Sequence, residues 1–177
     1  ISPGLNLLKF VMPALIIVFS RWRCFRMGIH IKMEYTFLHH LLVKMLKMGF
    51  KAMLGEANAE IDTVSVEQAR EYVGDKNILF VDVRETQEVE SSGGLPGSVH
   101  VPRGLLEFIA DPESPMHKSE LSSGRQLVLY CASGGRSALA AKTLQDMGLS
   151  DVCHIAGGFT AWVDIGGPTT VAEESGD

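Results

Sequence analysis

The rhythm of apolar and polar positions changes partway along the chain. Residues 5–19 are mostly apolar, interrupted by Lys9 and Pro13. The uninterrupted stretch falls short of the ~18–20 residues that cross a bilayer. A basic cluster follows, Arg21, Arg23 and Arg26. Then Leu38, Leu41, Leu42, Met45, Leu46 and Phe50 recur at helical spacing, with Lys44, Lys47 and Lys51 interleaved. That spacing predicts a basic amphipathic helix. From residue 59 onward, strand-like and helix-like pieces alternate. Residues 61–65 form a short β-branched run, and 66–73 have helical spacing up to Gly74, a natural stop. Residues 78–83 are a continuous apolar run with one acid near its end, which suits a strand buried on both faces. A short acidic helix is expected over 86–92, a turn at "GGLPGS", a short strand over 99–101 and a helix over 104–110. Residues 126–130 read as a second buried strand, 136–147 as a helix with Gly148 at its C-terminal cap, 152–155 as a strand and 159–165 as a last helix. Strand-then-helix order, repeated, implies a mostly parallel sheet with helices on both faces.

Composition sharpens the division. The 177 residues suffice for one domain of ordinary size with length left over. Apolar residues are 46% and charged residues 21%, which excludes wholesale disorder. The net charge of −5 argues against a general nucleic-acid binder, but it hides an imbalance. Residues 1–58 hold 8 Lys/Arg and 2 Asp/Glu, net +6, whereas residues 59–177 hold 8 and 19, net −11. The chain therefore divides into an apolar, basic N-terminal extension (1–58), an α/β domain (59–167) and an acidic tail (168–177) expected to fray. Three readings compete for the extension. It is a membrane anchor whose basic cluster keeps the rest in the cytoplasm. It is an interfacial helix on an anionic leaflet, using residues 1–50. Or it is a non-native leader ahead of a start at Met48; the chain opens with Ile1 and shows no small-residue cleavage site of the signal-peptide kind. The expected location of the domain is the cytoplasm.

The cysteines, Cys24, Cys131 and Cys153, are too few and too scattered for a disulfide scaffold or a four-ligand zinc site. Cys131 stands apart. The second buried strand runs straight into Cys131-Ala132-Ser133-Gly134-Gly135-Arg136-Ser137, and a helix follows. In open α/β sheets the functional crevice lies at the carboxyl ends of strands. Small residues let consecutive N–H groups turn inward as an anion-binding nest. The start of the following helix adds its positive end, and Arg136 adds charge. A thiol at the centre of such a cup has a lowered pKa and is a nucleophile. The plainer reading is an inert cysteine in a Gly-rich turn.

The segment "LVLYCASGGRSALAAKTLQDMGLSDVCHIAGGFTAW" resembles the active-site region of the rhodanese family, the thiosulfate-type sulfurtransferases. Upstream, Asp82, Arg84, Glu88, Gly93, Leu95, Pro96, Gly97 and Pro102 are similar to that family's other signature, and Gly157, Gly158 and Trp162 to its closing one. The stretch "PRGLLEFIADPESPMHK" looks like a bacterial single-domain subgroup. The resemblance covers roughly residues 59–167. It implies a three-layer fold with a five-stranded parallel sheet. It implies Cys131 as the nucleophile, taking sulfur from a small anionic donor such as thiosulfate to form a persulfide. The amides of Ala132 to Ser137 would bind that sulfur until a thiophilic acceptor, cyanide, a thiol or a sulfur-accepting protein, removes it. No metal or organic cofactor is implied, because the nest supplies the charge stabilisation. Phosphatases and arsenate reductases of the same fold use Cys-x5-Arg, whereas Cys131 to Arg136 is Cys-x4-Arg. A non-enzymatic binding module is the other alternative, though such members usually lack the cysteine.

Several residues carry two readings. Arg84 binds substrate near the pocket mouth, pairing with Glu88 or steering anions, or it forms a structural ion pair, with Asp82 and Glu88 as support. Arg103 steers an anionic donor or is simply solvated. Gly135 stands where many of the subgroup carry a larger side chain, so the pocket wall is expected to be open. Cys153 reads as core, with a redox pair to Cys131 as the lesser option. His39 and His40 are adjacent on a helix and suit a solvated face. His100 and His154 read as satisfied core histidines or pocket-rim residues, and Trp162 as a packing anchor.

Overall fold

The computed structural model describes residues 47–170. The anchor, interfacial-helix and leader readings of the extension fall almost wholly on residues outside these, as do Cys24, His39 and His40. Among the described residues no helix is long and apolar enough to cross a membrane.

The compact unit begins at Met48, eleven residues before the expected boundary. Its first helix, α1 (Phe50–Glu60), meets the predicted amphipathic helix only at Phe50 and Lys51, and Phe50, Met53, Leu54 and Ala57 carry its helical period. Ala57 is buried, and Glu60 at the far end pairs with Lys142 at 3.1 Å. Strand β1 (Asp62–Val64) follows, then α2 (Val66–Glu71). Ser65 caps α2 in a reciprocal box with Gln68, satisfying two N–H groups that the first turn leaves without helical partners. Next come β2 (Ile78–Asp82), α3 (Thr86–Ser92), β3 (Val99–His100) and a 3-10 turn (Arg103–Leu105) leading into α4 (Leu106–Ala110). A second 3-10 turn (Ser119–Ser122) precedes β4 (Gln126–Tyr130), α5 (Gly135–Asp146), β5 (Val152–Ile155) and α6 (Gly158–Asp164).

The five strands form one parallel sheet in the order β1-β5-β4-β2-β3. Side chains alternate across it, as a strand's two-residue period requires. Leu79, Val81, Leu127 and Leu129 face a core built with Leu106, Ile109, Ala138, Ala141 and Leu144 of α4 and α5. Phe80, Val128, Tyr130, Cys153 and Ile155 face the other core, with Val66, Ala69, Phe159 and Trp162 of α2 and α6. Helices on both faces explain why β2 and β4 read as unbroken apolar runs. Trp162 is the anchor of the second core. It is fully buried, meets Phe80 edge-on with ring centroids 6.2 Å apart, and donates its indole N–H to the Pro168 carbonyl at 2.9 Å.

Chain order makes β4 and β2 the decisive neighbours. From β2 the chain moves outward to β3, and from β4 it moves the opposite way to β5. Loops leaving two adjacent parallel strands in opposite directions open a crevice at their carboxyl ends. Those ends are Asp82–Arg84 and Tyr130–Cys131. The start of the expected tail closes beside them. Thr170 donates its N–H to the Gly94 carbonyl at 2.8 Å and accepts the Gly94 N–H on its hydroxyl at 2.9 Å. Pro168 to Thr170 thus belong to the folded unit rather than to a frayed tail.

Candidate active site

Cys131 follows β4 directly, and the chain turns into α5 within four residues. The turn needs Gly134, which takes φ +98° as the N-cap of α5, a left-handed conformation costly for other residues. The Gly134 N–H points at the Cys131 sulfur, 3.2 Å away. Cys131 is 1% exposed, and burial by itself pushes its thiol pKa up. The N–H groups of Ser137, Ser133 and Gly134 and the Ser137 hydroxyl outweigh this and bring it below the ordinary thiol value. Donors of Ser133, Gly134 and Ser137 thus stabilise the sulfur anion by more than burial disfavours it.

The start of α6 holds the loop from behind. Phe159 N–H bonds the Cys131 carbonyl at 2.7 Å, and Thr160 N–H bonds the Ala132 carbonyl at 3.0 Å. With those carbonyls drawn toward α6, the loop's N–H groups are left to face inward. Gly158 permits this approach, since a Cβ there would stand 2.3 Å from the Cys131 oxygen and 2.9 Å from the Ala132 carbonyl carbon and oxygen. Sequence reasoning placed Gly158 in a family signature without finding this contact.

Arg136 is not a free cation. Its two terminal nitrogens bond both carboxylate oxygens of Glu88, at 2.6 and 2.7 Å. Arg136 holds Glu88 down to a pKa of about 2 although burial opposes this, and Glu88 holds Arg136 above its ordinary value. Glu88 also accepts the Glu85 N–H at the start of α3, so the pair ties α3 to the loop. Negative charge on sulfur therefore relies chiefly on backbone donors and the start of α5 rather than on an unpaired cation.

The substrate-binding reading of Arg84 is corrected. Arg84 is 2% exposed, and its guanidinium is fully engaged. Its Nε bonds Asp82 Oδ1 at 3.0 Å, and one terminal nitrogen bonds Asp82 Oδ2 and the Gly93 carbonyl, each at 2.6 Å. The other terminal nitrogen bonds Ser92 Oγ at 2.9 Å, and the plane lies over Phe159 with 4.0 Å to the ring centroid. Burial opposes its charge, yet Asp82 keeps its pKa raised. Arg84 thus joins the end of β2 to the end of α3 and does not pair with Glu88. Arg103 is likewise held, by Glu107 at 3.0 Å and Thr143 at 3.1 Å.

The open wall expected at Gly135 is filled from another element. Both terminal methyls of Leu54, on α1, stand 3.8 Å from where a Gly135 Cβ would be. Cys131 and Cys153 are free thiols in opposite core layers. Burial pushes Cys153 up to about 11, in keeping with the core reading. His100 bonds the Arg84 carbonyl through Nε2 at 2.8 Å. His154 is buried beneath the loop, with Nδ1 3.3 Å from Ser137 Oγ and Nε2 3.0 Å from Thr63 Oγ1. Sequence reading treated His154 as core or rim, because nothing local shows that β5 runs under the turn after β4.

The chain is similar to several known proteins. The chain is 32% identical over 114 residues to a sulfurtransferase of Allochromatium vinosum, covering 64% of this chain and 96% of that one. It is 34% identical to a thiosulfate:glutathione sulfurtransferase of Saccharomyces cerevisiae, covering 62% of this chain and 83% of that one. A solved structure from Rhodopseudomonas palustris, a protein of unknown function described as a possible tyrosine phosphatase, matches with a TM-score of 0.69 and 48% identity. That match covers 71% of this chain and 96% of the other. The pattern of the rhodanese-like domain extends over residues 65–165, from the N-cap of α2 to the C-cap of α6. Matched across that span, this chain belongs to the rhodanese-like domain family.

Proposed function

We propose that the protein moves a sulfane sulfur from thiosulfate or a similar anionic donor to a thiophilic acceptor through a persulfide on Cys131. The Cys131 thiolate attacks the outer sulfur of the donor. The donor's S–S bond breaks, sulfite leaves with the electron pair, and a Cys131–S–S⁻ persulfide remains. An acceptor, cyanide in an assay or a thiol in the cell, then attacks the terminal sulfur and restores the thiolate. The kinetics are ping-pong. The observation carrying this reading is the Gly134 N–H 3.2 Å from the Cys131 sulfur, in the loop that turns from β4 into α5. The Saccharomyces relative, by its name, supports thiosulfate as donor and a thiol as acceptor. Free thiols suit a reducing compartment such as the cytoplasm.

A second reading, phosphoryl transfer, is favoured by the Rhodopseudomonas structure. The loop weighs against it. A phosphoryl group spreads charge over three oxygens and needs a wide cup with an available guanidinium. Here four residues separate Cys131 from Arg136, and Glu88 occupies both terminal nitrogens of Arg136. Intact mass spectrometry decides between them. Thiosulfate should add the mass of one sulfur atom, cyanide should remove it, and Cys131→Ser should abolish it. No gain on a folded protein, together with hydrolysis of a phosphate ester, would overturn the sulfur-transfer reading.

A further inference from the structure

Arginines follow three adjacent strands of the sheet, and a carboxylate meets each of them. Arg84, past the end of β2, pairs with Asp82 at 2.6 Å. Arg103, past the end of β3, pairs with Glu107 at 3.0 Å. Arg136, in the first turn of α5, has both terminal nitrogens on Glu88, at 2.6 and 2.7 Å. Lys118 donates to the His100 carbonyl at 2.8 Å, on the edge strand β3, with β2 between it and β4. The arginines at these carboxyl ends therefore lend the crevice no net positive charge. The chain around them, residues 59–177, carries net −11.

Of these pairs, the one made by Arg136 adjoins the reacting group. Gly134, two residues before it, points its N–H at the Cys131 sulfur, 3.2 Å away. Arg84 is buried, whereas Arg136 and Glu88 are 36% and 35% exposed, so a ligand arriving from solvent meets their charges. Glu88 is held in place, because its Oε2 also accepts the Glu85 N–H at 3.0 Å and closes the first turn of α3. Between Gly134 and Arg136, the space beside Gly135 is occupied by the methyls of Leu54. The loop thus presents a backbone donor, a neutralised guanidinium and an apolar side chain. That set suits one negative sulfur and holds no unmatched cation for a second negative charge on the same donor.

We propose that Glu88 determines donor specificity: by engaging both terminal nitrogens of Arg136, it sets Cys131 to take sulfur from a singly charged organic donor in preference to a doubly charged inorganic one. This rests on sulfur transfer at Cys131 and narrows its donor. With an organic thiosulfonate, R–SO2–S⁻, the Cys131 thiolate attacks the outer sulfur and the S–S bond breaks. The sulfinate R–SO2⁻ leaves with the electron pair, and Cys131–S–S⁻ remains.

The test measures single-turnover sulfur transfer to the full chain by intact mass, with thiosulfate and with methanethiosulfonate, which has a like outer sulfur and one charge fewer. The parent should be faster with methanethiosulfonate. Glu88→Gln keeps an oxygen for the Glu85 N–H but removes the counter-charge of Arg136. It should raise the ratio of thiosulfate rate to methanethiosulfonate rate about tenfold, as for one added cation acting on one added anionic charge at a half-exposed site. Adding Arg136→Gln to it should return the ratio to within about twofold of the parent. Glu60→Gln removes the same charge beside Lys142, further along α5, and should leave the ratio alone. An unchanged ratio in folded Glu88→Gln, an equal rise from Glu60→Gln, or a rise that survives the added Arg136→Gln would overturn the assignment. If Glu88→Gln does not fold, Arg136→Gln by itself decides: it leaves Glu88 unmatched and should lower the ratio, and a folded variant with the parent's ratio sinks the idea. Alkylation of Cys131 by iodoacetate and by iodoacetamide makes the same comparison without sulfur chemistry, since the thiolate fraction cancels in the ratio. If neither donor delivers sulfur, sulfur transfer fails and donor preference with it. A shifted alkylation ratio then keeps charge selection by Glu88 alone, and an unshifted one removes that too.

Discussion

Replacing Gly158 by Ala separates the strain of a left-handed residue from the anchoring of the Cys131 loop. Gly158 has φ +59°, and a Cβ there would stand 2.3 Å from the Cys131 carbonyl oxygen. A left-handed conformation costs a residue with a Cβ ~1–2 kcal/mol. The collision is with backbone, so no side chain can swing aside, and α6 must withdraw from the loop. Withdrawal weakens the bonds from Phe159 to Cys131 (2.7 Å) and from Thr160 to Ala132 (3.0 Å). Each is worth ~0.5–1.5 kcal/mol, so the whole change should cost about 2–5 kcal/mol. Gly124→Ala is the control, because φ is +76° but nothing lies within 4 Å of the new Cβ. It should cost only the ~1–2 kcal/mol of backbone strain. Urea unfolding measures both, provided the slopes agree. Persulfide formation in a single turnover should fall by about 100-fold or more in Gly158→Ala, as for a lost anion donor, and stay at the parent rate in Gly124→Ala. If Gly158→Ala costs no more than the control and forms persulfide at the parent rate, the anchoring argument is wrong.

Arg84→Met should destabilise by ~3–5 kcal/mol in urea, since it strands the buried Asp82 carboxylate; Asp82→Leu combined with Arg84→Met should cost less. A changed KM with unchanged stability would instead restore the substrate-binding reading. The Glu88–Arg136 pair should contribute fully above about pH 4.5, and its contribution should disappear as pH falls toward 2, because the folded pKa of Glu88 is lowered from 4.5 to about 2. Glu88 is 35% exposed, so solvent screening limits that contribution to ~0–1 kcal/mol; the stability gap between parent and Glu88→Gln should close over that interval in an acid titration. Iodoacetamide on the native protein should modify Cys131 with a midpoint below the ordinary thiol value, as peptide mapping would show. Cys153, as buried as Cys131 but raised to about 11, should react far more slowly near neutral pH.

Much of the architecture is legible along the chain, because strands buried on both faces and helices with one apolar stripe leave local signatures. Residues 126–130 and 152–155 are bounded as the strands are, and 86–92 as α3. Most of α1 and the 3-10 turn over Ser119–Ser122 lie outside the predicted elements, and the other deviations are at ends. The helix expected from residue 136 begins at Gly135, since Gly134 alone makes the left-handed turn into it. The cysteine at a strand end, the small residues after it and the helix that follows are also local, so the candidate nucleophile and its nest are visible in one dimension.

What the sequence does not carry is partnership across distance. Whether Arg84 meets Asp82 or Glu88, and whether Arg136 is free, depends on how the ends of β2 and α3 meet the loop after β4. Glu88 and Arg136 lie 48 positions apart, and the choice is settled by packing. Gly158 touches Cys131 only because α6 begins beneath the loop, Leu54 reaches Gly135 only because α1 lies along α5, and His154 reaches Ser137 only because β5 lies beside β4. By itself the sequence determined which residues are chemically able to act, because nucleophilicity, backbone freedom and periodicity are properties of neighbours in the chain. Only the tertiary structure decided which charges cancel and which donors aim at the sulfur, because those depend on distances between residues far apart in sequence.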